Sequence, residues 1–382
     1  MNRAELVEAS GAIIAEGSKS FRSASRLFDP VTRERSWLLY AWCRACDDLT
    51  DGQTLGHDAQ APVDPAAGQR RIESLTDAAL AGETTGDTPF DALGLVAGEV
   101  SIPKRTIDDH LKGFALDARG WMPADEPEML AYCYYVAGAV GSMMAAVMGV
   151  APSERDTLNR ASDLGIAFQL ANIARDIVPD ATQGRIYLPR DWLVEAGLNP
   201  DDPASVAAPG ARKQVAAMAK RLVDLSWRYR RSARTGAARL PFRARLAVLA
   251  AANVYGAIGA RVVRRGTRAW DSRTVVSKGE KLLHFSSALA MAVLPARQSV
   301  DCAGLSRTAC RFAQATFAML ELEHQFVEWR GDEEAEAKPV MLAFDRMVEA
   351  VRLDDAFHIR RLGDIAVHQA AVDDDVVEAE ID

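Results

Sequence analysis

Gln169-Leu-Ala-Asn172-Ile-Ala-Arg175-Asp176-Ile-Val-Pro179-Asp180 follows the apolar run Leu164-Gly165-Ile-Ala-Phe168, and its spacing decides how the chain is read. Apolar residues recur at helical intervals, so Gln169, Asn172 and Asp176 fall on one helix face with Arg175 beside them. Far earlier, Asp47-Asp48-Leu49-Thr50-Asp51 closes a similar apolar stretch, Trp37-Leu-Leu-Tyr40-Ala-Trp42-Cys43-Arg44. On a helix each cluster points two carboxylates the same way. Two such clusters facing one another repel unless cations lie between them. Mg2+ takes hard oxygen ligands, one or two carboxylates per ion, and fills its shell with water and phosphate oxygens. The pair of clusters therefore reads as a site that binds a diphosphate through several Mg2+ ions. A lone Asp-x-x-x-Asp is common on solvated helix faces; the residues flanking these two copies decide the matter.

The bulk composition narrows the class. A hydrophobic content of 49% with 26% charged residues is that of a globular chain able to bury a sizeable core. The net charge of -8 argues against nucleic acid as a partner, which would demand a basic surface. The N-terminal residues lack the charged-then-apolar layout of a secretory signal. Five scattered cysteines then point to reduced thiols and a cytoplasmic setting. Cys43-x-x-Cys46 has the spacing of a redox or zinc pair, but no second pair accompanies it, and two small residues on a buried helix is the simpler reading. Met129 to Ser153 carries no charge and is long enough to cross a bilayer. Its tyrosines, glycines and serine at helical spacing suit a tightly packed interior helix instead.

The periodicity is helical almost throughout. Helices are predicted over about 18–28, 32–48, 69–81, 89–101, 103–117, 126–149, 153–178, 211–235, 241–266 and 277–294. Residues 52–68 read as a loop and 183–209 as an irregular crossing rich in Gly and Pro. Pro179 should close the 153–178 helix and leave Asp180 just beyond it. After 295 the character changes, with a helical extension over 296–372 and an acidic, solvated tail over 373–382.

The flanking motifs resemble the squalene and phytoene synthase family. Tyr132-Cys-Tyr-Tyr-Val-Ala-Gly-Ala-Val-Gly141 resembles one of its signatures, and Leu164 through Arg185-x-Tyr187-x-Pro189 the other. Gly17-Ser18-Lys19-Ser20-Phe21, Tyr40 through Asp48, and Trp270-Asp271-Ser-Arg273 with Lys281 are similar to the bacterial phytoene synthases in particular. The likeness covers residues 9 to 295, taken as the catalytic domain 1–295. It implies an all-α fold of the isoprenoid synthase type, a helical bundle around a deep apolar channel. Met143, Met144, Met148, Leu164 and Phe168 would line or back that channel.

The resemblance also implies roles. Asp47, Asp48, Asp51, Asp176 and Asp180, with Asn172, would hold Mg2+ or Mn2+. Ser18, Lys19, Ser20, Arg44, Arg175 and Arg185 would contact the diphosphates, with Phe21, Gln169 and Asn172 at the same substrate site. Tyr132, Tyr187 and Tyr255 would meet the cationic intermediates. Lys19 also reads as a surface charge, Asn172 as a structural amide, and Tyr132 and Tyr255 as core. Where the family often has an acidic residue, this chain has Pro179. The implied reaction is head-to-head condensation of two geranylgeranyl diphosphates, through a cyclopropyl (prephytoene) diphosphate, to 15-cis-phytoene of carotenoid biosynthesis, with no NADPH. Loose contact with the inner face of the membrane and with other carotenoid-pathway enzymes would follow from lipidic substrates. A synthase making squalene, dehydrosqualene or hydroxysqualene from farnesyl diphosphate remains open, as does a non-catalytic assembly or lipid-binding member.

Overall fold

The computed structural model describes residues 1–52 and 64–293. Contacts divide the chain into two compact units, Met1–Val276 and Ser277–Asp382. Among the described residues every regular element is helical. The extension expected over 296–372 and the acidic tail lie outside the described residues.

The first unit opens with α1 (Arg3–Gly17), which the periodicity alone did not predict because its apolar residues form no strong stripe. A capping box starts it: the Asn2 side chain accepts from the Glu5 amide while the Glu5 side chain accepts from the Asn2 amide. α2 (Lys19–Ser25) follows at once, capped by Ser18. α3 (Pro30–Asp51) begins with Asp29 as its cap and Pro30 in its first turn, and Gly52 ends it in the left-handed region at φ 62°. α4 (Pro65–Leu80), α5 (Thr88–Glu99) and α6 (Lys104–Asp117) pack around it. Their shared core holds Leu38, Trp42, Cys46, Phe90, Leu93 and Met143. Trp42 is fully buried, and its indole N–H donates to Thr76 Oγ1 at 3.2 Å. Such a pairing is what a buried indole needs.

The second half of this unit is built on α9 (Arg155–Thr182). It is flanked by α7 (Glu126–Cys133), α8 (Ala139–Val147), α11 (Pro203–Ala207), α12 (Arg212–Ala237) and α13 (Phe242–Arg265), with α10 (Arg190–Glu195) between α9 and α11. A π-helical turn, Tyr134–Gly138, joins α7 to α8, with the Ala139 amide bonding back to the Tyr134 carbonyl. The stretch weighed as a membrane span is thus an interrupted interior helix, with Met129, Cys133, Gly138, Ala139 and Met143 buried. Glu126–Val147 and Phe242–Arg268 are still long and apolar enough to span a bilayer by composition alone.

Glycines let α8 and α9 touch through their backbones. A Cβ on Gly141 would stand 2.3 Å from the Ala161 carbonyl oxygen, and one on Gly165 would stand 2.1 Å from the Ala137 carbonyl oxygen. Ser142 Oγ locks the same crossing, donating to the Leu158 carbonyl at 3.0 Å and lying 2.7 Å from Ser162 Oγ. One expectation fails on α9: the helix runs through Pro179 and ends at Thr182. Proline forfeits a single amide bond, and the last turn is repaired by Thr182 Oγ donating to the Val178 carbonyl at 2.8 Å and the Gln183 amide donating to the Pro179 carbonyl at 3.2 Å. Asp180 is therefore on the helix. In the second unit, α14 (Lys278–Val293) starts with reciprocal bonds between Ser277 and Glu280.

Gly141→Ala or Gly165→Ala should each cost about 2 kcal/mol or more of stability, because the added methyl meets backbone that cannot swing away. Gly98→Ala, whose added carbon meets nothing within 4 Å, should not destabilise. Urea denaturation of the three variants checks this; equal midpoints would contradict the close crossing.

Candidate active site

The structure gathers most of the predicted residues into two groups. The first is built on the end of α3. The α1–α2 joint presses against it: a Cβ on Gly17 would lie 2.9 Å from the Tyr40 hydroxyl and 3.7 Å from Arg44 Cδ. Ser18 Oγ accepts from the Phe21 amide at 3.2 Å, which turns the chain so that Phe21 stacks on Tyr40 with centroids 5.3 Å apart. The opening motif thus lands beside the first aspartate cluster. Arg44 donates to Asp48 Oδ1 from Nε at 3.0 Å and from a terminal nitrogen at 2.5 Å, and stands 3.8 Å from Asp47. The Asp47 side chain is 48% exposed and that of Asp48 only 16%. Asp47 is accordingly the more accessible of the two carboxylates, while Asp48 secures the arginine. The side chains of Lys19, Ser20 and Asp51 lie outside the described structure.

Burial shapes this group. It pushes the Tyr40 phenol up to about 12, with Arg44 opposing it. It raises the Cys43 and Cys46 thiols as well, and both cysteines are free. Cys46 belongs to the apolar core. The Cys43–Cys46 pair is therefore packing rather than chemistry.

The second group lies on α9. Phe168, Gln169, Asn172, Arg175, Asp176 and Asp180 are half-buried, while Leu170, Ala171, Ile173, Ala174 and Ile177 are buried. The first set repeats at helical spacing, so one stripe of a central helix faces accessible space and is polar. Arg175 Nε donates to Asp176 at 2.9 Å although adjacent helical residues do not normally face each other. Burial works against the Arg175 charge, but the bonds to Asp176 outweigh it and raise its pKa. Tyr255 reaches the stripe from α13, stacked on Phe168 with centroids 4.0 Å apart. Leu164 and Phe168 join Ala233, Val248 and Ala252 in a small apolar cluster beside it. Met143, in contrast, is fully buried in the core around α3.

Asp180 is where the electrostatics are least comfortable. Burial first, then the neighbouring Asp176 charge, push its carboxyl up to about 7, against the pull of Arg185 and Arg175. Tyr187 lines a cleft with Asp180, Ile173 and Ile177. Tyr187 also stacks on Tyr132, with centroids 5.3 Å apart and planes 16° apart. Both hydroxyls donate to Asp117, at 2.9 Å from Tyr132 and 3.4 Å from Tyr187. Sequence reasoning did not single out Asp117. The only local signal was its position in the last turn of α6, where acidic residues are unfavourable.

Three comparisons fit this arrangement. The family model for squalene/phytoene synthase matches residues 14–280. The chain belongs to the squalene/phytoene synthase family. The 15-cis-phytoene synthase of Pantoea ananas is 45% identical over 284 residues, 74% of this chain and 90% of that protein. Phytoene synthase of Pseudescherichia vulneris is 44% identical over the same length and shares of each chain. Among solved structures, a dehydrosqualene synthase in complex with ligand superposes with a TM-score of 0.66 at 25% identity, covering 75% of this chain and 96% of that one. A squalene synthase from Alicyclobacillus acidocaldarius does so with 0.60 at 25% identity, over 69% and 95%. The helical fold of this family's synthases, the isoprenoid synthase type, is the fold of this chain.

Among the described residues no three carboxylates already converge at metal-binding distance. The donor set nevertheless suits a hard divalent cation: acidic oxygens in two clusters, one of them a repelling pair in Asp176 and Asp180. The sign of the Asp180 effect is testable. Its folded pKa is above that of an unfolded aspartate, so its contribution favours the folded state at low pH and is lost as pH rises through about 7. Without added cation, Asp180→Asn should stabilise the protein by about 2–4 kcal/mol at pH 8 and hardly at all at pH 4. Thermal melts at the two pH values decide; equal effects at both would contradict the buried charge.

Proposed function

We propose that the chain is a phytoene synthase, a prenyltransferase that condenses two geranylgeranyl diphosphates head to head to 15-cis-phytoene. The observation that carries the reading is the Asp176–Asp180 stripe, with Tyr187 sharing a cavity with Asp180 and stacking on Tyr132, in a chain 45% identical to a 15-cis-phytoene synthase. Residues 1–295 form the catalytic domain on this reading, supported by the family match over 14–280.

The chain's own groups divide the work. Arg44, Arg175 and Arg185 bind diphosphate oxygens, with Ser18, Lys19 and Ser20 adding contacts at the first cluster. Arg44 and Arg175 are held now by Asp48 and Asp176, so each is preorganised yet able to exchange a carboxylate for a phosphate. Asp47, Asp48, Asp51, Asn172, Asp176 and Asp180 would hold Mg2+ or Mn2+. Such ions neutralise a departing diphosphate without proton transfer. Phe21 and Gln169 position the prenyl chains near their diphosphate ends. Tyr132, Tyr187 and Tyr255 turn aromatic rings toward the allylic and cyclopropyl cations, which offer no hydrogen bonds. The buried aromatic and aliphatic side chains exclude water, so each cation is consumed by carbon–carbon bond formation or proton loss.

Phytoene formation is redox-neutral, and no NADPH is called for. Lipidic substrates and product favour peripheral contact of a cytoplasmic enzyme with the membrane's inner face and with other carotenoid-pathway enzymes.

The test is turnover with Mg2+ and no NADPH, offering geranylgeranyl and farnesyl diphosphates separately and identifying products by mass. A C40 hydrocarbon from the C20 substrate is expected, reduced about a thousandfold or more in Asp47→Ala/Asp176→Ala. A C30 product from farnesyl diphosphate alone would move the chain to the squalene-type branch. No turnover of either would leave a non-catalytic member.

A further inference from the structure

Asp117 is the last residue of α6, and that last turn carries no basic residue to offset the helix dipole. Its carboxylate nonetheless gathers two phenols from distant parts of the chain. Tyr132 of α7 donates to both of its oxygens, at 2.9 and 3.1 Å, and Tyr187, after α9, donates at 3.4 Å. The two rings stack, and Trp121 packs on Tyr132 with centroids 5.5 Å apart. Tyr132 is 3% exposed, whereas Tyr187 is half-buried and lines the cleft that contains Asp180. The carboxylate therefore anchors a ring pair whose outer member, Tyr187, shares a cavity with Asp180.

We propose that Asp117 is a positioning residue of the condensation, fixing the Tyr132–Tyr187 ring pair beside the Asp176–Asp180 half of the site and making those rings better hosts for a carbocation. The proposal rests on the phytoene synthase reading. A phenol that donates to a carboxylate takes on part of the phenolate's negative charge, and the ring face becomes more attractive to a cation. Allylic and cyclopropyl cations carry no donor or acceptor, so aromatic faces and fixed negative charge are what a protein can offer them. A purely structural role is the poorer explanation. Filling this space with apolar side chains would hold the helices together without placing a partly buried charge at a helix's negative end.

Steady-state turnover of geranylgeranyl diphosphate by wild type, Asp117→Asn, Asp117→Ala, Tyr132→Phe and Asp117→Asn/Tyr132→Phe tests this, with thermal melts as the folding control. Asp117→Asn keeps the shape and an acceptor oxygen but loses the charge. It should lower kcat by about 10- to 30-fold, the range of a desolvated cation–π contact. KM should move less than about threefold, because the ground-state substrate carries no carbocation. Released cyclopropyl diphosphate should rise as a share of product, since the second ionisation suffers too. The double variant should be no worse than the poorer single one. Wild-type kcat in folded Asp117→Asn, or a loss confined to KM, would overturn the proposal whether or not Asp117→Ala folds. An active wild type with an indifferent Asp117→Asn removes Asp117's role alone. A wild type silent on both geranylgeranyl and farnesyl diphosphates removes this role and the proposed function together.

Discussion

The candidate site places carboxylates in the last turns of α3, α6 and α9, where each helix already presents negative charge. Asp48 and Asp51 occupy the last turn of α3, Asp117 ends α6, and Asp180 lies in the last turn of α9, and none of those turns contains a basic residue. Each placement runs against the macrodipole by a few tenths of a kcal/mol or more. The choice of side chains around them follows from that shared cost. Arg44 and Arg175 turn toward neighbouring carboxylates, Tyr132 and Tyr187 donate to Asp117, and Asp180 is left beside Asp176 in partly buried surroundings. A fold optimised only for stability would place lysine or arginine in these last turns. On the proposed function, cations would complete this arrangement.

What holds the discomfort in place is close packing. α9 meets α8 at Gly141 and the π-helical turn at Gly165, backbone against backbone, and that turn lets Tyr132 and the glycines of the interrupted helix serve different neighbours. The dense core around Trp42 steadies α3 in the same way. Such rigid surroundings keep strained electrostatics from relaxing, which is how active sites retain geometry at a cost in stability.

The helical class was legible because apolar spacing is a local property, and the same spacing put Gln169, Asn172, Arg175 and Asp176 on one stripe. Where sequence reading failed, the deciding physics was either subtle or tertiary. α1 was missed because its apolar residues form no strong stripe, although the Asn2–Glu5 capping box announced its start. Pro179 was read as a stop, but a proline in a final turn costs one hydrogen bond and the side chain of Thr182 helps to restore the end. Asp117 was invisible because its partners are 15 and 70 residues away and meet it only after α7 and the segment beyond α9 have packed. Cys43 and Cys46 carried a motif's spacing without its environment.

The central claim is that the carboxylates of α3 and α9 act on one shared anionic ligand through cations. Calorimetric binding of inorganic pyrophosphate in the presence of Mg2+ tests it most directly, using wild type, Asp47→Asn, Asp176→Asn and the double variant. A shared ligand predicts that the two losses are coupled, with a double loss differing from the sum of the single losses by about 1 kcal/mol or more. Strictly additive losses, or pyrophosphate binding unchanged in all three variants, would contradict it.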